Sequence, residues 1–405
     1  LATFAPVTVL LLMVLLFCLF CVAHSYVIYP MWVMVKDADK ARTQVQSEVK
    51  ERRATPHPRV FVLMAAHNEE AVLDEKLAGL AAQDYPGPMV FHVGSDCSTD
   101  RTNEILKDWC ARDPRFRATL FTSRQGKPNI INQLAVIAGK EGIFVLTDAS
   151  VMLRQDTISG LVRPMMRDPR VGVVDATMVQ TGGKAKGIGR AEATYINREV
   201  AIKRAEGRHW GAMIGPFGGC WSLRAEAFRP VPENFLVDDF FLCMAAYEAG
   251  WQGISSEEAI VFEGVGQSIK DEFRRKVRIS SGNWQNLVRF RRLWWPPFKN
   301  PLAFAFFSHK ILRWWTPFFV LTGTICVLLL LLTLGNHWAI TLLTLLLGLV
   351  PALGAADFVL AAFGIHLRVL RGLRYFLAMN AALLVGFFRY LTGITSNVWQ
   401  PTQRH

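Results

Sequence analysis

Two apolar blocks frame this chain and decide its architecture. From Leu1 to about Val35 almost every residue is apolar, a run longer than the ~20 residues a helix needs to cross a bilayer. It exceeds the core of a signal peptide and has no small-residue cleavage site, so it reads as a retained span. The chain does not begin with Met, and further residues are expected before Leu1. Lys36, Lys40, Arg42, Lys50, Arg52 and Arg53 follow at once, which puts that flank in the cytoplasm and the N-terminus outside. The 51% hydrophobic content of the 405 residues is thus concentrated at the ends, around a globular centre.

The second block begins near Phe298. Pro296, Pro297 and Pro301 interrupt the preceding helical pattern, and residues 302–315 form an amphipathic stretch with aromatic anchors, suited to the membrane interface. Three spans are expected after it, at 316–334, 339–363 and 375–391. The loop with Arg368, Arg371 and Arg374 belongs in the cytoplasm, whereas Gly335, Asn336 and His337 carry no Lys or Arg and belong outside. One span before the core and three after it leave the core inside and both termini outside. Pro351 and Asp357 interrupt the middle segment, so an interfacial or re-entrant helix is the alternative there. The expected parts are a span at 1–35, a basic linker at 36–58, a catalytic-type domain at 59–295, an interfacial helix at 296–315, three spans within 316–392 and a tail at 393–405.

A formal charge of +12 admits nucleic acid, an anionic membrane surface or a phosphate-bearing substrate. The densest basic cluster, from Arg274 to Lys299, is interleaved with Trp284, Trp294, Trp295 and Phe298 and runs straight into apolar sequence. That placement favours the bilayer and a diphosphate over nucleic acid. Seven cysteines without paired CxxC motifs indicate a reducing compartment and no disulfide framework. In the centre, residues 60–65, 89–93, 118–121 and 143–147 read as strands, each running into a polar loop and then a helix-like stretch. This alternation predicts an α/β fold with a mostly parallel sheet and helices on both faces, its ligands bound beyond the carboxyl ends of the strands.

The polar residues gather at those ends. Ala65, Ala66, His67, Asn68 and Glu69 follow the first strand, and Asp96 closes the second. The first presents free backbone N–H groups and a carboxylate at the sheet edge, Asp96 can accept hydrogen bonds from a base or ribose, and both also read as helix capping. Gly126 and Lys127 open a helix and can aim an ammonium at phosphate, without the remaining residues of a P-loop. Asp148 ends the fourth strand beside Ser150, a pair that suits Mg2+ or Mn2+ on a diphosphate or a purely structural turn. Gly219, Cys220 and Trp221 combine permissive backbone with an aromatic face for a sugar, or with a core tryptophan. Asp238 and Asp239 precede an apolar helix, either as acid–base chemistry or as a cap, and Arg275 and Arg278 supply cations farther on.

In this order, the segments resemble the family 2 glycosyltransferases, in particular the membrane-embedded branch with the chitin-oligosaccharide, hyaluronan, poly-N-acetylglucosamine and cellulose synthases. The resemblance covers about Arg59 to Leu293. It implies a GT-A fold, a nucleotide-sugar donor (UDP-N-acetylglucosamine or UDP-glucose), inversion at the anomeric carbon and a glycan or lipid-linked acceptor. By the same likeness, Ala65, His67, Glu69, Asp96, Lys127, Asp148, Arg275 and Arg278 hold the donor, and Asp148 with Ser150 the metal. Gly219, Cys220, Trp221, Asp238 and Trp284 then line the acceptor, and Asp239 is the base. The family's Asp-Xaa-Asp is Asp148, Ala149, Ser150 here, its Gln-Xaa-Xaa-Arg-Trp is Arg275, Lys276, Val277, Arg278, Ile279, and Ser95 stands where an aspartate is common. The expected setting is a bacterial inner or plasma membrane, with the oligomeric state open. A catalytically silent nucleotide-sugar or anionic-lipid binding subunit is the alternative that the altered Asp-Xaa-Asp supports.

Overall fold

The structure is a computed structural model that describes residues 5–44, 57–181, 188–264, 269–334, 337–363 and 367–398. Lys50, Arg52 and Arg53 of the basic linker, Gly335 and Asn336 of the expected outer loop, and the tail beyond 398 lie outside the described residues.

The centre is one mixed eight-stranded sheet in the order β3-β2-β1-β4-β7-β6-β8-β5. Its strands are β1 (Val60–Ala66), β2 (Met89–Asp96), β3 (Phe116–Phe121), β4 (Ile143–Thr147), β5 (Met152–Leu153), β6 (Val171–Thr181), β7 (Cys220–Arg224) and β8 (Gln252–Gly264). The β3-β2-β1-β4 half is parallel, and β7 runs antiparallel to both β4 and β6. Every residue of β1 is buried, as befits an apolar run covered on both faces. Its alternate side chains feed two cores: Val60, Val62 and Met64 meet Leu73 and Leu77 on one side, and Phe61, Leu63 and Ala65 meet Ile130 and Leu134 on the other. Those partners come from α3 (Glu70–Ala81) and α5 (Lys127–Ala138), which follow β1 and β3; α4 (Thr102–Arg112) and α6 (Thr157–Arg167) complete the first half. This is the Rossmann-like GT-A architecture anticipated above. Further along lie α7 (Ile188–Trp210), α8 (Asp238–Glu248) and α9 (Ile269–Arg289).

Four described helices are long and apolar enough to cross a membrane. The first begins as α1 (Ala5–Ala23) and passes through a π-helical turn, His24–Ile28, into α2 (Tyr29–Gln44), so the helix continues past the expected end of the span. The others are α10 (Thr316–Leu334), α11 (Trp338–Ala362) and α12 (Arg368–Leu391). Gly323 of α10 lies against Leu15 and Cys18 of α1, and Phe17 meets Phe319 edge-on. Small residues permit this close approach where no water drives association.

The third of the expected trailing spans, α12, is a candidate span that packs closely on the core. Phe376 packs on Tyr26, just past α1, while Phe387 packs on Phe318 in the first turn of α10. Those contacts lie three turns apart, roughly 16 Å of helix, so α12 is packed over much of its length. It is pinned to α9, where Ser280 Oγ donates to the Leu383 carbonyl (2.8 Å) and Ser281 Oγ to the Gly386 carbonyl (3.0 Å). Beyond it, the Asn397 side chain lies against Gly126 of the core.

Residues 301–314, the stretch expected at the interface, are also tied into the core. A π turn, Phe306–Ile311, is wedged between α7 and the α1–α2 helix, with Phe306, Ser308 and His309 buried. Glu199 accepts from Lys310 (2.8 Å) and Arg313, and its carboxylate faces His309 Nε2 (3.0 Å). Glu206 faces His309 Nδ1 (2.7 Å) and accepts from Tyr29 Oη (2.7 Å). These cations hold the buried Glu199 carboxyl well below the usual carboxylate range despite the opposing effect of burial.

Candidate active site

The tips of β1 and β2 are laced together. Asn68 and Cys97 both take left-handed backbone conformations, at φ 53° and 54°. Asn68 Oδ1 accepts from Thr99 N (2.9 Å), and Asn68 N donates to Ser98 Oγ (3.2 Å). Asp96 is fully buried and organises the next loop, accepting from Arg124 Nε (3.0 Å), Gln125 N (2.5 Å) and Gly126 N (3.2 Å). His67 Nδ1 bonds the Asp96 carbonyl (2.8 Å), and Arg124 Nη1 reaches its Nε2 (2.6 Å). Glu69 N donates to Thr102 Oγ1 (2.9 Å), and Ala65 is buried in β1. Asp96 and His67 thus shape the loop that presents Lys127.

Lys127 stands at the first turn of α5 and donates to Asp148 Oδ1 at 2.6 Å. Burial works against its charge, but Asp148, Asp238 and Asp239 together raise its pKa above that of ordinary lysine. Asp239, in the first turn of α8, is pushed up to about 6 by burial and by the adjacent Asp238, against the pull of Lys127. Its Oδ1 accepts from Phe240 N (2.7 Å), and its Oδ2 abuts Gly218, where φ is +82° and a Cβ would collide with the carboxylate. Arg278 lies behind this group and donates from Nη1 to the Leu236 carbonyl (2.8 Å). Burial lowers its pKa, opposed by Asp238, Asp239 and Asp148. Lys127 and Arg278 feel the same three carboxylates, so Asp148, Asp238, Asp239, Lys127 and Arg278 share one cleft at the sheet rim.

Arg275 lies one turn from Arg278 and pairs with Glu272 (3.3 Å). Gly219 closes the floor, its carbonyl accepting from Asp148 N (3.0 Å) and Thr147 Oγ1 (3.0 Å).

Of the expected acceptor residues, Trp221 and Trp284 are packed away from the rim, whereas Cys220 is buried directly beneath it, paired with Thr147 beside Asp148. Trp221 is 1% exposed inside the core, because successive β7 side chains point to opposite faces and its own points away from the rim. Cys220 is buried against the other core, its thiol pushed up to about 11 by burial. Trp284 is 7% exposed and packs on Trp315, Phe318, Phe387 and Tyr390 at the junction of α9, α10 and α12. It joins helices and presents no face to a sugar.

The expected metal pair is thin. Asp148 has one oxygen engaged by Lys127, Ser150 adds a hydroxyl, and no group of three His, Cys, Asp or Glu suited to a metal occurs among the described residues. Such a set fits Mg2+ or Mn2+ only as an ion shared with diphosphate oxygens and water.

Sequence reasoning missed Lys76, Arg124 and the pair Lys203–Asp175 (2.5 Å), which braces the loop ahead of Gly218 as Asp175 accepts from Phe217 N (3.3 Å). A signal existed for Lys76, which stands in the apolar stripe Leu73, Leu77, Leu80 of α3 and is 1% exposed. Burial lowers its pKa to about 8.

Acids and cations thus gather at the rim of a GT-A sheet that is joined to long apolar helices. Residues 61–231 match Glycosyl transferase family 2, and the chain belongs to that family. It is 28% identical over 238 residues to an N-acetylglucosaminyltransferase of Rhizobium meliloti (strain 1021), covering 55% of each chain. It is 36% identical over 126 residues to one of Bradyrhizobium elkanii, covering 30% of this chain and 67% of the relative. The chain spans about half the length of the first curated relatives it matches. Its fold is similar to that of a mannosyltransferase of Pyrobaculum calidifontis solved with GDP-Man and Mn2+, with a TM-score of 0.65, 20% identity and coverage of 93% and 99% of the two chains.

Proposed function

We propose that the chain is an inverting transferase that moves N-acetylglucosamine or glucose from a UDP-sugar to a hydroxyl of a glycan or lipid-linked acceptor at the cytoplasmic membrane face. The observation that carries this reading is the cleft itself. Asp239 has its pKa raised towards neutrality and lies close enough to the Lys127–Asp148 pair and to Arg278 for their charges to act on one another.

In the proposed step, Asp239 takes the proton of the acceptor hydroxyl as that oxygen attacks the anomeric carbon. The bond to the diphosphate breaks on the opposite face, and the electron pair leaves with UDP. Lys127 and Arg278 meet the charge that develops on the diphosphate. A Mg2+ or Mn2+ ion held by Asp148 and Ser150 together with the donor would supply Lewis-acid stabilisation of the same oxygens. The tips of β1 and β2, with Asp96 and the loop it organises, form the base and ribose side of the pocket. Gly219 and Asp238 border the acceptor side.

The test is to incubate the purified full chain with a panel of nucleotide sugars and Mg2+ or Mn2+, and to measure nucleoside diphosphate release and the length of labelled product. UDP release from UDP-N-acetylglucosamine or UDP-glucose is expected. Release from neither, with turnover of another donor, would overturn the donor assignment.

A further inference from the structure

Lys76 is a buried ammonium without a carboxylate ion pair among the described residues. Its Nζ donates to Thr147 Oγ1 (2.8 Å) and to the Val151 carbonyl, the two residues that bracket the Asp148–Ala149–Ser150 turn. Both acceptors are neutral. Burial lowers its pKa and the nearby Asp148 carboxylate only partly offsets this, and Asp148 is already engaged by Lys127. The turn therefore carries two ammonium groups around one carboxylate, where an Asp-Xaa-Asp turn would carry two carboxylates. Leucine would suit the Leu73, Leu77, Leu80 stripe, and burying a charge there is costly unless the charge has a use.

We propose that Lys76 is a built-in cation beneath the diphosphate-binding turn, which takes over part of a divalent ion's work and makes donor binding only weakly dependent on that ion. The inference rests on the donor reading given above. Lys76 does not touch the donor. It is a positioning residue whose fixed positive field favours the diphosphate and disfavours a second cation at Asp148 and Ser150. The exchange of the second carboxylate for Ser150 and the burial of Lys76 then form one arrangement. Both changes move the turn towards positive charge.

The experiment uses the full chain in detergent and two readouts. UDP binding is measured by calorimetry in chelator and in saturating Mn2+, and Mn2+ binding without nucleotide is measured by electron paramagnetic resonance. Wild type should lose less than tenfold in UDP affinity on chelation. Lys76→Met should lose at least tenfold and bind free Mn2+ more tightly than wild type. A wild-type loss of tenfold or more, or a Lys76→Met loss equal to that of wild type, would overturn the proposal. If Lys76→Met does not fold, Ser150→Asp serves instead, since a new carboxylate at the turn should tighten free Mn2+ binding and make UDP binding chelator-sensitive. A Ser150→Asp protein that matches wild type in both readouts would likewise overturn it. Absence of UDP binding in every condition would strike the donor reading, whereas the nucleotide-free Mn2+ comparison still tests Lys76.

Discussion

Replacing Asp239 with Asn should stabilise the protein while abolishing transfer. In the folded state this carboxyl has its pKa raised from 3.8 to about 6, so the native state holds a proton that the unfolded chain releases. At about 1.4 kcal/mol per pKa unit, keeping the group ionised above pH 7 costs the fold up to about 3 kcal/mol. The sign follows from linkage. A raised native pKa favours the fold below the unfolded value, and that benefit disappears as pH rises through about 6. Asn stays neutral and retains an oxygen for the Phe240 N–H bond. The variant's advantage should therefore vanish below about pH 4 and reach its full size above about pH 7. For a core of this size it corresponds to a melting shift of roughly 5–10 °C. The assay is thermal unfolding in detergent at pH 4 and pH 8, paired with donor turnover. Turnover should fall by about 10²–10⁴-fold, and wild-type turnover should reach half its plateau near pH 6. A variant no more stable than wild type at pH 8, or equally stabilised at both pH values, would mean that the Asp239 charge does not cost the fold what its raised pKa implies.

Gly218→Ala should cut turnover by about a hundredfold or more, because a methyl group would displace Asp239 and the backbone there has φ +82°; kinetics compared with nucleotide affinity will show whether the loss falls on the chemical step. Arg313→Ala should destabilise the protein by about 3–5 kcal/mol, since it removes a partner from buried Glu199, and denaturant melts of the detergent-solubilised chain will read this. A cysteine introduced at exposed Ser396 should react with an impermeant maleimide only from the side that bears the core, because neighbouring Asn397 lies against Gly126. Labelling from the opposite side alone would contradict that contact.

Much of the parallel half was legible because its strands are continuous apolar runs ending in polar loops. Residues 143–147 coincide with β4, and 60–65 and 89–93 lie within β1 and β2. The mixed half was harder, since β6, β7 and β8 mix polar and apolar residues, combine parallel and antiparallel neighbours, and pair non-locally. The residues that gather at the cleft, Asp148, Asp239, Lys127 and Arg278, were readable as side chains at strand ends and helix starts. Trp221 and Trp284 were not, because aromatic identity does not reveal which face of a strand or helix points to solvent. For α12, composition permits a span, whereas its packing on α9 and against Tyr26 and Phe318 depends on contacts between residues far apart in the chain.

The charged junction between α7 and residues 309–313 bears on how this enzyme can be handled. A soluble fragment cut before residue 300 would retain Glu199 and Glu206 but lose His309, Lys310 and Arg313, exposing two acids whose partners had left with the discarded piece. Expression as an anchorless domain should therefore yield a loosened, aggregation-prone protein. The anchor is part of the catalytic unit's own interior.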